Sequence, residues 1–158
     1  MKELTVNPFT IFNNTWSLLT SGPFAHHNSM TISWGEMGTL WNKNVVTVYV
    51  KPCRYTYEFM ENNDLFVLSF FDKQYKRALS MMGSRSGRDT NKDQLAGLTP
   101  VSYNGVTIYK EASMTLICKK IYFNDLLMEN IPDDAIEHHY QNEKPHRMYI
   151  GEVIEVIK

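Results

Sequence analysis

Three short segments of the chain carry side chains suited to chemistry: Asn28-Ser29-Met30-Thr31-Ile32-Ser33-Trp34, Arg54-Tyr55-Thr56, and Ser84-Arg85-Ser86-Gly87-Arg88-Asp89 with Lys92 just beyond. The second and third hold what an anion needs. Guanidinium groups bond oxyanions in a fork, hydroxyls add short donors, and a glycine lets a backbone amide turn outward. The first places short polar side chains beside an indole. That combination suits a flat heteroaromatic ring, which Trp34 can pack against for about 0.5–1.5 kcal/mol beyond area burial.

The elements that must position these residues can be read from their flanks. Val45 to Val50 is β-branched and aromatic throughout and ends at Lys51-Pro52. Arg54 and Thr56 follow, where a short helix is expected over Thr56 to Asn62, with Thr56 as its N-cap and Glu58 in its first turn. A helix start presents unpaired amides and partial positive charge, so a phosphate is stabilised there. The basic loop follows a helix expected over Lys73 to Met82, with Gly83 as a left-handed cap. On a strand, Asn28, Met30, Ile32 and Trp34 point one way and Ser29, Thr31 and Ser33 the other. Taken singly, each segment has an ordinary explanation: a capped helix, a solvated loop, a core strand anchored by tryptophan.

In this order and with this spacing, the three segments resemble the flavin reductase-like family of FMN-binding split barrels. The resemblance runs from about Asn28 to Val153 and includes Pro145-His146-Arg147-Met148-Tyr149-Ile150-Gly151-Glu152-Val153, similar to the family's closing His, strand and Gly-Glu-Val. It implies a mainly β, antiparallel split barrel with a few short helices, forming one domain over residues 1–158. It implies FMN bound noncovalently, with Arg54, Thr56, Ser86 and Arg88 addressing the ribityl phosphate and Tyr55, Ser84 and Gly87 in the same binding set. Asn28, Ser29, Met30, Thr31 and Trp34 would lie at the ring, and Lys92 at its pyrimidine edge, where a cation favours negative charge. His146 would face the flavin site, bonding the ring or helping to seat a nicotinamide, and is the one side chain given a catalytic role. A polar cap on the last strand accounts for it equally well. The family often has an acidic residue just before this histidine, and Pro145 stands there instead.

The family's activity would be hydride transfer from NADH or NADPH to flavin, with electrons passed on to flavin or another acceptor, in a homodimer with FMN near the subunit interface. Two other readings remain open: a flavoredoxin-like FMN electron carrier with protein partners, and a nonredox module that binds a flavin.

The rest of the chain is consistent with this. Leu65 to Phe70, Gly105 to Tyr109, Ala112 to Cys118 and Met148 to Ile157 read as strands, the last interrupted at Gly151, a bulge or close backbone approach. With Asn28 to Trp34 that makes about six strands at short spacing, as in an antiparallel barrel. Further short helices are expected over Asn91 to Ala96, stopped by Gly97, and from Pro132 through Tyr140, inside an excursion from Asn124 to Lys144. The length of 158 residues suffices for one domain with a real core. A formal net charge of −1 gives no global field for nucleic acid or an anionic membrane. Met1 to Asn14 has no signal-peptide layout, and the two cysteines, Cys53 and Cys118, give no disulfide framework or thiolate metal site, in keeping with a reducing cytoplasm. The pairs His26-His27 and His138-His139 lack the i, i+4 spacing of a helical zinc site and read as exposed or loop histidines. No Walker or dinucleotide glycine motif occurs, so a nicotinamide would bind without a Rossmann module.

Overall fold

A computed structural model describes residues 4–158; the first three residues of the N-terminal stretch lie outside the described residues. Seven antiparallel strands form one sheet in the order β2-β1-β5-β8-β9-β4-β3. They are β1 (Ser17–Ser21), β2 (Asn28–Ile32), β3 (Gly35–Leu40), β4 (Lys43–Val50), β5 (Leu65–Phe70), β8 (Met114–Asp125) and β9 (Arg147–Ile157), and β6 (Pro100–Tyr103) pairs with β7 (Val106–Tyr109) as a second small sheet. The helices are α1 (Pro8–Thr10), α2 (Tyr55–Asn62), α3 (Lys76–Ser84), α4 (Lys92–Ala96) and α5 (Asp133–His139). The expected mainly β, antiparallel class is the one observed.

The order of strands forces the sheet to curl. β2 and β3 are its two edges, yet only Ser33 and Trp34 separate them in sequence. Three peptide steps reach at most about 11 Å, so Ile32 and Gly35 cannot lie far apart. The two edges must therefore approach each other at Ser33-Trp34. Inside the curl sits the main core, including Leu19, Val48, Phe66, Leu68, Leu116 and Tyr149. A second cluster joins α3 to the sheet through Leu18, Phe71, Leu79 and Met82.

Three strands were not expected from the sequence, and each hides for a physical reason. β1 is buried at all five positions, so it shows no alternation. β3 is an edge strand with two glycines and few apolar residues, and β6 opens on Pro100, tolerated because its sheet has only two strands. β8 runs on to Asp125, past the expected end at Cys118, because its far half, which opens on two lysines and is largely exposed, still pairs with β9. Asn104-Gly105 form the turn between β6 and β7 with φ of 44° and 85°, the backbone of a two-residue hairpin.

Two expected caps are corrected. Arg54, not Thr56, occupies the N-cap of α2, and no side chain caps that helix; Thr56 is buried within the first turn. Gly83 lies inside α3, which runs on to Ser84. What it provides is space, because a Cβ there would come within 3.2 Å of Thr31 Cβ, and α3 packs directly on β2. Gly97 stops α4 as expected, and it does so as a left-handed cap with φ of 69°. At Gly151 a side chain would overlap the Phe66 ring, so close approach requires glycine, and a register shift stands in β8 between Lys120 and Tyr122.

Candidate functional site

The loop after β4 turns sharply, Arg54 N donating to Lys51 O at 3.0 Å, and delivers the uncapped start of α2 to the surface. Tyr57 N donates to Arg54 O at 3.0 Å, but the amides of Tyr55 and Thr56 have no helical partner, and both residues line a cleft of about 210 Å³ there. Across the cleft, Asn28 Nδ2 donates to Thr56 Oγ1 at 2.8 Å. Thr56 Oγ1 is thus the acceptor in that bond, which leaves its hydroxyl hydrogen to donate elsewhere.

The loop after α3 forms the opposite wall. A Cβ at Gly87 would overlap Asn28 Oδ1, so only glycine lets this loop press on β2. Arg88 N donates to Ser86 Oγ at 3.2 Å, Arg88 pairs with Glu58, and its guanidinium lies 4.7 Å from the Tyr55 ring centre. Arg54 forms no ion pair among the described residues. Lys92 is only 6% exposed, at the first position of α4 after the cap Asn91, and donates to Met82 O at 2.9 Å. Burial pushes its pKa down to about 8, with Arg54 acting in the same direction and Asp93 against it.

A second cleft of about 240 Å³ shares Met30, Thr31 and Arg54 with the first and continues along the seam to Trp34, Tyr49, Lys51 and His146. The Trp34 and His146 rings are 5.2 Å apart. Tyr140 OH lies 2.8 Å from His146 Nδ1. Burial, together with the charges of Lys51, Arg54 and His139, pushes the His146 pKa down to about 4 against the opposing Glu143, so the ring is neutral at neutral pH.

The structure brings all but one of the sequence-predicted residues to these joined clefts. Asn28, Met30, Thr31, Arg54, Tyr55, Thr56, Ser84, Ser86, Gly87, Arg88 and Lys92 line the first, and Trp34 and His146 the second. Ser29 is the exception. Its side chain is buried on the other side of β2, bonded at 2.8 Å to both Thr20 Oγ1 and Tyr109 OH. Tyr109 in turn donates to Asp93 Oδ1 at 2.6 Å, and His27 Nε2 meets Asp93 Oδ2 at 3.0 Å. His27 is therefore a loop residue but not an exposed one. Burial works against its charge, yet the Asp93 carboxylate holds its pKa above the ordinary value.

Sequence reasoning missed Cys53 and Gly83 in the first cleft and Tyr49 and Lys51 in the second, and it gave no site role to Arg85, Ile32 and Ser33 although they stand within the three segments. It also missed Tyr140, the partner of His146 that no acid at position 145 supplies. No local signal marks Tyr140; it arrives from the end of α5. Among the described residues, no group of three or more His, Cys, Asp or Glu could hold a metal ion.

Chemically, the first cleft offers cations, hydroxyls and helix-start amides, and the second offers aromatic walls and one neutral imidazole. A ligand with an anionic tail and a planar head fits that division.

The family model of the flavin reductase like domain matches residues 9–157. No curated protein matches the chain significantly. Among solved structures, the FMN-binding domain of a flavin reductases-like enzyme from Shewanella baltica is 22% identical, with a TM-score of 0.66 over 94% of this chain and 71% of its own. The flavoredoxin of Methanosarcina acetivorans is 17% identical, with a TM-score of 0.72 over 100% of this chain and 76% of its own. The NADH:FAD oxidoreductase of Streptomyces globisporus, solved in complex with NAD and FAD fragments, is 16% identical, with a TM-score of 0.70 over 95% of this chain and 78% of its own. The chain spans 65% of the length of a flavin reductase from Shewanella frigidimarina and 82% of that of an FMN-binding protein from Thermus thermophilus, so it is shorter than both of these neighbours.

Proposed function

The chain belongs to the flavin reductase like domain family, and from that premise we propose that residues 1–158 act as one FMN-binding domain that transfers hydride from NADH or NADPH to flavin. The observation that carries this reading is the joined pair of clefts, one cationic and one aromatic, sharing Met30, Thr31 and Arg54. The donor set fits FMN. Arg54, the Thr56 hydroxyl, Ser86 and the first-turn amides of α2 suit the phosphate, and Met30, Trp34 and Tyr49 suit the ring.

FMN, when bound, supplies the redox chemistry itself. The chain's residues bind, orient and tune. Arg54 would hold the phosphate through a charge-assisted bond, with the free amides of Tyr55 and Thr56 as further donors. Lys92, buried beneath the cleft, contributes positive charge when protonated. Trp34 limits the ring-side space and excludes water from one side of it. His146 holds its imidazole uncharged beside the place where the nicotinamide would stack.

A second copy of the chain would complete the unit. Phe9, 89% exposed, and Trp34, 42% exposed, border an apolar groove continuous with the ring-side cleft through Ser33, Trp34 and Tyr49, the kind of surface a homodimer buries. A cytoplasmic setting agrees with the free thiols of Cys53 and Cys118; among the described residues no helix is long and apolar enough to cross a membrane.

The visible spectrum of the purified protein, and of the flavin released on denaturation, tests the cofactor. Steady-state NAD(P)H oxidation with added free flavin tests the activity. Turnover supports the reductase. Bound FMN with no turnover supports an electron carrier like the flavoredoxins among its neighbours.

A further inference from the structure

The interaction between Tyr140 and His146 determines which hydrogen bond the ring-side cleft can make. Tyr140 is only 6% exposed and closes α5, its N–H bonded to Ile136 O at 2.9 Å. Lys51 clamps the segment from the other side: its Nζ donates to His139 O at 3.1 Å, pairs with Glu143, and lies 5.7 Å from the Tyr140 ring centre. The phenol oxygen is thereby delivered to His146 Nδ1 at 2.8 Å.

A neutral imidazole has one N–H and one bare nitrogen, and its hydrogen bonds decide which is which. If Nδ1 carried the proton, Tyr140 OH would be the acceptor and its own hydrogen would need another acceptor. No other hydrogen bond of that hydroxyl occurs among the described residues. Donation from Tyr140 to Nδ1 satisfies both groups at once, and it leaves the proton on Nε2. No residue among those described accepts a hydrogen bond from Nε2, while the His146 ring lines the cleft beside Trp34 and Arg54.

We propose that Tyr140 is a positioning residue that fixes His146 as the Nε2–H tautomer, so that a neutral imidazole offers a single N–H to a carbonyl oxygen in the ring-side cleft. The charged and titratable groups around His146 agree. Lys51, Arg54 and His139 oppose a second proton on the ring, and Glu143, the one acid among them, is taken by Lys51. The imidazole is therefore a hydrogen-bond donor that brings no positive charge to the cleft. The carbonyl could belong to a flavin ring or to a nicotinamide carboxamide, which share this chemistry. The inference rests on the proposed function for the ligand, but the tautomer itself does not depend on it.

The test is the ring nitrogen spectrum of His146 in the ¹⁵N-labelled full chain with FMN added. The expected result is the neutral Nε2–H pattern from pH 5 to 9, changing to a mixture of tautomers in Tyr140→Phe. An Nδ1–H or doubly protonated ring at pH 7 in the natural chain overturns the proposal, as does a Tyr140→Phe variant with lower melting temperature and the same tautomer. Two further variants decide the matter if Tyr140→Phe fails to fold. Gln at position 146 can place an amide N–H near the Nε2 position, whereas Asn reaches only the Nδ1 position. His146→Gln is expected to keep hydride transfer within about tenfold of the natural chain and His146→Asn to lose more, the size of one oriented hydrogen bond. Equal loss in both overturns the proposal. An effect confined to FMN affinity identifies the ring carbonyl, and one confined to reduction by NAD(P)H identifies the carboxamide. Absence of NAD(P)H oxidation with the tautomer intact counts against the reductase reading alone.

Discussion

Asn28 Nδ2 donates to Thr56 Oγ1 over 2.8 Å, tying the edge strand β2 to the first turn of α2 at the floor of the cationic cleft. Both residues are buried, Asn28 at 7% and Thr56 at 1% exposure. A bond of this kind holds two elements in register and also aims the remaining hydroxyl hydrogen. Thr56→Val keeps the shape and removes the acceptor, leaving a buried amide unpaired at a cost of about 1–3 kcal/mol. Urea unfolding without flavin is expected to show that loss, and FMN titration a weaker site. Thr56→Ser is expected to recover most of both, and if it recovers neither, the hydroxyl is not what matters.

Arg54 has no ion-pair partner among the described residues, so its positive charge is available to a ligand. Arg54→Ala removes one charge-assisted bond, worth roughly 1.5–3 kcal/mol, or about 10- to 150-fold in FMN affinity. Riboflavin lacks the phosphate and is expected to bind the variant almost as well as the natural chain. Equal weakening of FMN and riboflavin would place Arg54 at the ring instead.

Lys92 predicts a pH dependence of binding. Burial lowers its pKa to about 8, so the free site loses this cation as pH rises through 8. A bound phosphate favours the protonated form, so FMN affinity falls above pH 8 and binding takes up protons there. Stability without ligand moves the other way. Between pH 8 and the ordinary lysine value the unfolded chain holds the proton and the folded chain does not, so stability rises with pH over that window. Lys92→Met is expected to abolish the alkaline fall in affinity. An unchanged pH profile in Lys92→Met would mean that another group is responsible.

How much of this was legible in the sequence depends on how local each signal is. The strands β4 and β5 announce themselves as nearly continuous apolar runs of strand length, and β9 as a long alternation broken at Gly151. The cleft residues were legible as three segments because each is a contiguous run at the end of an element. Ser29 was misplaced because a strand shows its two faces only once its neighbours are known, and here Tyr109 and Thr20 claim the hydroxyl. Gly83 has the residue type of a helix cap, but its position is set by the approach of Thr31, which no local rule contains. Lys51 comes just after β4, far from His146 in sequence, and although Tyr140 stands only six residues before His146, its reach to Nδ1 is set by where α5 ends, which no residue pattern contains.

Gly87 tests whether the two walls of the cleft are mechanically coupled. A methyl group at this position would overlap Asn28 Oδ1 and would come within 3.2 Å of Tyr55 Cδ1. The Asn28 amide is held by its bond to Thr56, so it can yield only by breaking that bond. The alternative is that the loop from Ser84 to Arg88 moves away from β2. Gly87→Ala is therefore expected to cost stability in the natural background and almost none in Asn28→Ala, where the obstructing amide is gone. The difference, an interaction energy of roughly 0.5–3 kcal/mol, is measured by a double-mutant cycle on urea unfolding. If Gly87→Ala leaves stability intact but still weakens FMN binding, the loop has shifted instead. Asn28 then positions Thr56 without also seating the basic loop.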